Sequence, residues 1–560
     1  MFTDQKHVRE SRFSATTSRL STMTSTKLFV VFLIALPLLV ALKLSLPHPT
    51  SSGNVGFADV RILEKGSNNG TSVGKSSEDE YKDKLLGGLL APGFDEGSCL
   101  SRYQASLYRK LSPYKPSSYL LSRLRNYEDL HKRCGPHSEP YKRTVNELMV
   151  GNKNITRSRE TECKYVVYTF HSKRGLGNRI QAATSAFLYA ILTNRVLLID
   201  QGKDMSDLFC EPFPESSWFL PENFPLKNNL DLFNQTSHDS FGNMLKNNMS
   251  KSNPSAYLYV YLEVDYDFYD KLFFCDENQP FLSRVPWLIL KTSQYFVPSL
   301  FLMQCFEQEL GRLFPNRTTV FHHLGRYLFH PTNQVWGLIT RYYEAYLANA
   351  DERIGIQIRV FEGSFVPQKD VTDQILSCTM NQKLLPQVNE QNFVVPPPSG
   401  KPRLKAVLVT SLGKGYYEIL RNMYWENPTV TGDFVGVYQP SHDEFQQTEK
   451  QSHNRKALAE IYLLSLTDVL VTSARSTFGY VAQGLGGLRP WILYRPDGEN
   501  LTVPGPPCVQ LMSTEPCLHA PTYYDCKAKT GVDVGNVVPY VRHCEDTRWG
   551  IKVVESHDKL

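Results

Sequence analysis

A short segment, Thr467–Arg495, combines residue types that bind an anion with the spacing that such binding needs. An apolar strand comes first, and the small polar residues Ser473, Ser476 and Thr477 follow it. A helix is predicted to begin at Phe478, so its free N–H groups and the positive end of its dipole face this polar turn. The pattern suits a nucleotide diphosphate, and an ordinary strand–turn–helix connection is the alternative.

A second candidate loop is rich in glycine and has the sequence HSKRGLGNR (171–179). The apolar run 165–170 before it is predicted to be a strand, and 180–193 after it has the apolar spacing of a helix. A further strand is predicted over 195–200. Ligands bind at the carboxyl ends of strands in open α/β sheets, and glycine lets the backbone approach a ligand closely. The candidate ligand-binding residues of this loop are Gly175, Gly177, Asn178 and Arg179.

The elements that must position these loops form two series of strands and helices. In the second series, strands alternate with helices of 10 to 15 residues, which predicts a parallel, doubly wound sheet. The predicted fold class is therefore α/β, with two Rossmann-like halves and a ligand cleft between them.

Residues 201–350 give one clear element, a helix over 333–347. The second series comprises strands over 354–361, 405–412, 434–439, 469–472 and 491–494, and helices over 416–425 and 456–468.

Composition and cysteine usage bound the class of protein. The chain has 560 residues, enough for two or more domains, and its formal charge of +5 gives no case for a nucleic-acid partner. None of its 11 cysteines forms a C-x-x-C pair, so no zinc site is predicted. Four of them lie between Cys508 and Cys544, which predicts a C-terminal segment stapled by disulfides. The odd count leaves at least one thiol free or paired between chains.

The N-terminal region has the pattern of a membrane anchor. Residues 28–46 are almost entirely apolar and have the length of about one bilayer crossing. Basic residues predominate in 1–27, so the positive-inside rule predicts a cytoplasmic tail and a lumenal remainder. A cleaved signal peptide is the alternative, and 47–83 has the composition of a flexible stem. Sequons for N-glycosylation begin at Asn69, Asn154, Asn234, Asn248, Asn316 and Asn500.

Several motifs in order resemble those of plant cell-wall fucosyltransferases, most closely the xyloglucan α-1,2-fucosyltransferases. The resemblance covers about 84–553 and implies a type II Golgi enzyme with a GT-B-like fold. It also implies inversion at the fucose anomeric carbon, GDP-β-L-fucose as donor, and no metal ion or other cofactor. The motifs are RGLGNR (174–179), LFCEPFP (208–214), HLGRYLFHPTNQVW (323–336), IQIRVF (356–361), AVLVTSL (406–412), LTDVLVTSARSTFGYVAQGLGG (466–487) and VRHCED (541–546).

The resemblance implies roles for individual residues. Arg359 maps to the arginine that holds the donor pyrophosphate, and its planar fork suits a diphosphate; a surface salt bridge is the alternative. A carboxylate at the place of Glu460 pairs with guanine N1–H and N2–H in distantly related fucosyltransferases; a helix-surface glutamate is the alternative. Phe478 is either a GDP contact or a core residue. The segment implied to contact GDP is Ser476, Thr477, Phe478 and Gly479, and the loop implied to face the diphosphate across the cleft is Gly175, Gly177, Asn178 and Arg179.

The proton acceptor for the reaction is less well defined by the sequence. Asp546 is the first choice as catalytic base, and a purely structural role at the end of the fold is its alternative. The triplet Asp265-Tyr266-Asp267 is interpreted as structural or acceptor-facing rather than as a Mn²⁺ site. The resemblance implies an acidic residue in the turn K-T-x-x-Y-F, where this chain has Ser293. Further candidate bases are Glu545, His543, Asp265, Asp267 and a water relay.

The expected function is transfer of L-fucose to O2 of a galactose residue on xyloglucan side chains. A fucosyltransferase acting on arabinogalactan protein glycans is the first alternative, and an inactive Golgi scaffold or lectin is the second. The expected partners are GDP-fucose, a galactosylated polysaccharide or glycan, and the Golgi membrane; a homodimer or a complex with other Golgi glycosyltransferases is left open. The predicted domains are a cytoplasmic tail (1–27), a transmembrane signal anchor (28–46), a stem (47–83), an acceptor-side Rossmann-like domain (84–350), a GDP-fucose-binding Rossmann-like domain (351–500) and a C-terminal segment returning toward the cleft (501–560).

Overall fold

The computed structural model describes residues 84–150, 162–170, 174–202, 205, 207–249, 255–361, 366–391, 393, 395–398, 400–413, 415–494 and 505–556. The predicted tail, anchor and stem lie outside these residues, as do the sequons at Asn69, Asn154 and Asn500. Within the described ranges, no helix has both the length and the apolar character that a membrane crossing requires.

The regular elements follow one another from residue 100 to residue 553. The helices are α1 (Leu100–Tyr108), α2 (Ser118–Cys134), α3 (Glu139–Val150), α4 (Leu176–Leu192), α5 (Phe241–Lys246), α6 (Phe268–Lys271), α7 (Gln279–Leu282), α8 (Val297–Leu300), α9 (Gln304–Leu313), α10 (Val320–Leu328), α11 (Asn333–Tyr346), α12 (Gln368–Asn381), α13 (Gly415–Glu426), α14 (Gln451–Ser465) and α15 (Thr477–Gly486). The strands are β1 (Tyr165–Thr169), β2 (Val196–Ile199), β3 (Tyr257–Tyr261), β4 (Trp287–Lys291), β5 (Glu352–Ile358), β6 (Leu404–Ser411), β7 (Phe434–Tyr438), β8 (Val469–Ser473), β9 (Trp491–Leu493), β10 (Cys508–Gln510), β11 (Tyr524–Asp525), β12 (Thr530–Gly531), β13 (Val541–Cys544) and β14 (Thr547–Val553).

The first sheet is parallel and has the strand order β2-β1-β4-β3. Its central strand β1 is buried along its whole length, as expected for a parallel strand covered on both faces. On one face the rings of Tyr165 and Trp287 stack with their centroids 4.0 Å apart. Helix α4 connects β1 to β2 and is buried over nearly its whole length, because it packs against both the first sheet and α15.

The second sheet has the strand order β10-β9-β8-β5-β6-β7. Five of its strands are parallel, and β10 is an antiparallel edge strand. The chain runs from β5 through β6 to β7 on one side, and β8 and β9 lie on the other side. The order therefore reverses between β5 and β8, and the same reversal occurs between β1 and β4 in the first sheet. The α/β class and the two parallel sheets predicted from the sequence are confirmed.

The glycine-rich loop differs from its prediction. Helix α4 begins at Leu176, with Gly175 as its extended N-cap residue, so Gly177, Asn178 and Arg179 belong to its first turn. The two glycines are typical of a loop, but Leu176 is buried and starts the apolar face of the helix. The second difference is that strands β3 and β4 lie in the region 201–350, where only one helix was predicted.

Disulfides attach the C-terminal segment to elements beside the two sheets. Its predicted internal staple is present once, as Cys517–Cys544. Cys526 pairs with Cys275, which lies between α6 and α7, and Cys508 in β10 pairs with Cys378 in helix α12. The expected unpaired thiol is Cys305. The remaining pairs are Cys99–Cys210 and Cys134–Cys163.

The contact between α4 and α15 leads to a stability prediction. A Cβ added at Gly177 would lie 2.7 Å from the carbonyl carbon and oxygen of Thr477, whereas a Cβ at Gly311 in α9 would meet nothing within 4 Å. We expect Gly177→Ala to lower the free energy of unfolding by about 1–3 kcal/mol, because the added methyl group forces the backbones of α4 and α15 apart. Gly311→Ala should raise it by about 0.5–1 kcal/mol. Equal thermal unfolding midpoints for the two variants would contradict the close contact.

Candidate active site

A cavity of about 480 Å³ lies between the two sheets, a volume typical of small-molecule sites. It opens at the carboxyl ends of β1, β4, β5 and β8, which are the strands that flank the reversal of order in each sheet. Ligands of open α/β sheets bind at such reversals. The topology thus brings loops from both sheets to one cavity.

The anion cradle predicted at the opening of α15 lines this cavity. Ser476 is the N-cap residue, and its Oγ accepts a hydrogen bond from the Gly479 N–H at 3.5 Å. Ser476, Thr477 and Phe478 line the cavity, and Phe478 also packs against the main hydrophobic core. Gly479 lies behind them, where a Cβ would collide with Thr472 Oγ1. Its role is therefore to let the helix approach strand β8.

Arg359 directly follows β5, which ends at Ile358, whereas the predicted strand continued to residue 361. Its backbone N–H donates to Ser473 Oγ at 3.0 Å, which joins the ends of the two adjacent strands. Its guanidinium lines the cavity, where one nitrogen donates to Gln446 Oε1 at 2.9 Å. The guanidinium carbon lies 5.4 Å from the centroid of the Phe361 ring. The arginine thus presents donors to the space that the cradle N–H groups also face.

The start of α4 forms the opposite wall. Gly175, Gly177 and Asn178 line the cavity, but Arg179 does not belong to the described lining. Arg179 is 1% exposed, its Nε donates to the Arg174 carbonyl at 2.9 Å, and its guanidinium lies 4.3 Å from the Phe170 ring centroid. Its placement in a helical turn directs it into the interior, so it supports the loop. Arg174 lines the cavity in its place.

Glu460 lies in α14 and lines the far end of the cavity. Its Oε1 accepts hydrogen bonds from the Ser441 N–H at 3.1 Å and the Ser441 hydroxyl at 2.6 Å. Burial raises the pKa of Glu460 to about 7. One serine thus holds the carboxylate. The carboxylate lies in a part of the cavity wall that can bind a planar nucleobase through hydrogen bonds.

The polar residues around Glu460 were missed by the sequence analysis. Asp443 contacts both His453 Nδ1 and Lys456 Nζ at 3.0 Å, and all three line the cavity. Burial opposes ionisation of Asp443, but hydrogen bonds from Lys456 and His453 lower its pKa. The sequence signal that could have found Asp443 is its position, because it follows β7 at the carboxyl edge of the second sheet.

The three candidates in VRHCED are held by structural contacts away from the described cavity lining. Asp546 Oδ2 accepts from the Arg475 N–H at 2.8 Å and from the Tyr480 hydroxyl at 2.5 Å. Glu545 forms an ion pair of 2.6 Å with Lys552. His543 Nε2 lies 2.8 Å from Asp533. For Asp546 this placement favours the alternative, that it stabilises the fold and does not itself touch a substrate.

The carboxylates of Asp265 and Asp267 also have structural partners. Asp267 caps α6 by accepting hydrogen bonds from the backbone N–H groups of Tyr269 and Asp270. Asp265 accepts from the Tyr261 hydroxyl at 2.7 Å. Both positions agree with the structural interpretation of the triplet.

A potential metal-binding cluster also has a structural explanation. In the described part of the chain, Cys517, Cys544 and Asp546 are close enough together to hold an ion. The two sulfurs form a disulfide, so neither is available as a thiolate.

The wall between β4 and the C-terminal segment contains Ser293, where the chain departs from the family's acidic residue, and further residues that the sequence analysis did not assign. Ser293 and Arg174 line the cavity, and both contact Glu263 behind them: the Ser293 hydroxyl donates to its carboxylate, and the Arg174 guanidinium lies 3.6 Å away. His519 also lines the cavity, with Nε2 3.2 Å from the Tyr480 hydroxyl. His519 gives no local signal, because its partners are distant in sequence.

Comparisons with known proteins give a consistent family. A sequence model described as xyloglucan fucosyltransferase matches residues 60–527. The chain is 57% identical to a galactoside 2-alpha-L-fucosyltransferase of Arabidopsis thaliana, over 95% of this chain and 93% of that protein. It is 56% identical to a galactoside 2-alpha-L-fucosyltransferase of Pisum sativum, over 97% of this chain and 94% of that protein. The solved structure of a mutant of Arabidopsis thaliana FUT1 in complex with GDP has a TM-score of 0.78 and 60% identity, covering 84% of this chain and 100% of that one. These matches confirm the resemblance found in the motifs, and the chain belongs to the xyloglucan fucosyltransferase family.

Proposed function

We propose that the protein is an inverting α-1,2-fucosyltransferase that moves L-fucose from GDP-β-L-fucose to O2 of a galactose residue on xyloglucan side chains. The observation that carries the proposal is the cavity in which Arg359 and the α15 N-terminus meet the start of α4. The names of the family and of its galactoside 2-alpha-L-fucosyltransferase relatives support the sugar and the linkage. The two facing sheets support a GT-B-like arrangement.

The donor fits this cavity in one orientation. The guanine binds at Glu460, whose carboxylate oxygens accept hydrogen bonds from N1–H and N2–H. The diphosphate binds between Arg359 and the N–H groups that begin α15, while the first turn of α4 covers it from the other side. The GDP complex of the similar Arabidopsis thaliana FUT1 supports this choice of nucleotide.

The chemistry needs the leaving GDP to be stabilised as negative charge develops on it. The helix N-termini and Arg359 are fixed before the reaction, so they stabilise that charge without reorganisation. We propose that they do so without a metal ion. The fucose C1 is then attacked by the acceptor hydroxyl from the face opposite GDP, which inverts the anomeric configuration. Since Arg359 and the cradle are intact, an inactive scaffold is disfavoured.

The function is tested by supplying GDP-fucose to the purified full-length protein with two acceptors, galactosylated xyloglucan and arabinogalactan protein. We expect fucosylated xyloglucan and one GDP per transfer, at the same rate in EDTA. Transfer to arabinogalactan protein alone would show that its glycans, and not xyloglucan, are the acceptor. Absence of transfer to both acceptors would refute the proposed activity. A loss in EDTA that Mn²⁺ restores would refute metal independence.

We also propose that the protein is a single-pass type II protein of the Golgi membrane with its catalytic part in the lumen. The apolar segment 28–46 behind a basic tail supports this topology. The sequon residues Asn234, Asn248 and Asn316 are all exposed, which supports access to glycan addition. Unchanged electrophoretic mobility after peptide N-glycosidase treatment of the secretory-pathway protein would count against it.

Substitution of Arg359 tests the diphosphate clamp. We expect Arg359→Lys to lower kcat about a hundredfold, since the loss of one transition-state contact costs about 3 kcal/mol and a lysine cannot reproduce a bidentate fork. The matched control is Arg421→Lys, at an exposed arginine on α13, which should keep normal turnover. Near-normal turnover of Arg359→Lys would remove Arg359 from the clamp.

Substitution of Glu460 tests the guanine site through its pH dependence. A glutamine amide cannot accept both guanine donors, so Glu460→Gln should weaken GDP binding about tenfold or more at pH 8. Since the pKa of Glu460 is about 7 and guanine binds the ionised form, wild-type affinity should fall as the pH decreases through this value. The variant should lack that fall, although the phosphates of GDP titrate equally in both proteins.

Calorimetric titration with GDP between pH 6 and pH 8 measures both effects. Glu449→Gln, at an exposed glutamate just before α14, is the control and should follow the wild-type profile. Parallel profiles for wild type and Glu460→Gln would place the guanine elsewhere.

A further inference from the structure

His519 is the histidine on the side of the cavity formed by the C-terminal segment and the β4 loop. It lines the cavity together with Arg475 and Ser476 at the opening of α15, and it has no part in the proposed guanine site around Glu460. Its side chain is therefore available to the group that attacks the sugar. The carboxylates first considered for that task, Asp546 among them, are bound elsewhere.

We infer that His519 is the catalytic base that takes the proton of the acceptor hydroxyl, and that Tyr480 and Asp546 are positioning residues that fix its tautomer. The inference rests on the proposed fucosyl transfer and names the proton acceptor of that reaction. It is carried by a three-residue chain that runs from Asp546 through Tyr480 to the cavity wall.

The hydrogen-bond geometry determines the tautomer. The Tyr480 hydroxyl has one proton, and the Asp546 Oδ2 at 2.5 Å takes it, because an ionised carboxylate only accepts. The Tyr480 oxygen is then an acceptor toward His519 Nε2, which lies 3.2 Å away. Nε2 must therefore carry the ring proton. Nδ1 is left with its lone pair, and it makes no hydrogen bond within the described residues.

The electrostatic surroundings keep this lone pair available. Burial lowers the pKa of His519 from 6.5; Asp546 opposes this effect, and Arg475 adds to it. The groups that face the ring are Tyr480, Asp546 and Arg475. The imidazole is consequently neutral near pH 7 and ready to accept, and the nearby carboxylate stabilises the imidazolium formed by the reaction.

The proton transfer balances with the proposed reaction. The acceptor O2 forms a bond to fucose C1 while its proton moves to His519 Nδ1. The bond from C1 to the β-phosphate oxygen breaks, and its electron pair leaves with GDP. His519 then returns the proton to water, so the products are fucosylated acceptor, GDP and one proton.

Ser293 and Glu263 form the competing route for the same proton. The Ser293 hydroxyl lines the cavity and donates to the buried Glu263, whose Oε1 has no partner among the described atoms. Arg174 already neutralises this carboxylate from 3.6 Å. Glu263 is also separated from the cavity by Ser293, so a proton would need two transfers to reach it, whereas His519 takes it in one.

The experiment compares His519→Gln with wild type in the full-length protein at saturating GDP-fucose. A glutamine amide retains a donor for Tyr480 but is not basic, so kcat should fall about 10²- to 10⁴-fold. Calorimetric affinity for GDP should stay unchanged. The acid limb of the wild-type kcat profile, set by an apparent pKa below 6.5, should disappear in the variant. His238→Gln, at an exposed histidine, is the control with wild-type kinetics.

Asp546→Asn tests the positioning role. Both donors meet Oδ2, so an asparagine oxygen in that place keeps both hydrogen bonds and leaves the His519 tautomer unchanged. The variant lacks the negative charge that stabilises the imidazolium, so kcat should fall with unchanged GDP affinity. The double variant should be no slower than His519→Gln alone, because both changes remove one function. A GDP affinity that falls as far as kcat would reduce Asp546 to a structural role and overturn this part.

The outcomes separate this inference from the proposed function. Transfer by wild type and His519→Gln at equal rates overturns the inference alone. Loss of turnover in Glu263→Gln, with His519→Gln active, assigns the proton to the Ser293 route and also overturns it. A wild-type protein that fucosylates neither acceptor overturns the proposed function and this inference together.

Discussion

The meeting of two helix N-termini across one cleft is the constraint on which the rest of the structure depends. The first turn of α4 and the start of α15 come from opposite sheets, and they approach so closely that Gly177 has no room for a Cβ. Gln181 fastens the contact by donating to the Thr477 carbonyl at 3.2 Å. Each helix brings unpaired N–H groups and partial positive charge to the same space. An anion held there is stabilised by fixed backbone dipoles, and Arg359 adds a full charge to them.

Strand order explains how distant parts of the chain reach that space. Arg359 follows β5 and Ser476 follows β8, and these strands are neighbours where the second sheet reverses its order. Arg174 and Ser293 follow β1 and β4, which are neighbours at the reversal of the first sheet. Every loop between a strand and the next helix at these four positions must end at the cavity. The part of the site assigned to the diphosphate is therefore determined by a few residues after these strands, whereas Glu460 is supplied by α14 and His519 by the C-terminal segment.

The sequence predicts this framework well because apolar periodicity is a local property. Strands β5 and β6 and helix α13 begin and end within three residues of their predicted bounds, and Arg359 and three of the four predicted cradle residues line the cavity. The direction of a polar side chain is not local. Arg179 turns inward because Phe170 and the Arg174 carbonyl receive it, and Asp546 is bound by partners 66 and 71 residues away. The tyrosine-rich β3 gave no clear alternation, since both of its faces are covered.

The C-terminal segment supplies the residue proposed for proton removal, and other parts of the chain supply the residues proposed for donor binding. The space assigned to GDP is built from residues before 480, whereas Cys517 and His519 enter the cavity from a segment with little regular structure. That segment is held by Cys275–Cys526 to the loop between α6 and α7, by Cys378–Cys508 to helix α12, and to itself by Cys517–Cys544. Donor binding and proton removal thus depend on different parts of the fold, joined at α15 through Tyr480. Because Asp546 accepts from both Tyr480 and the Arg475 N–H, the same carboxylate supports the cradle loop and orients His519, so the leaving group and the attacking group are aligned by one buried charge.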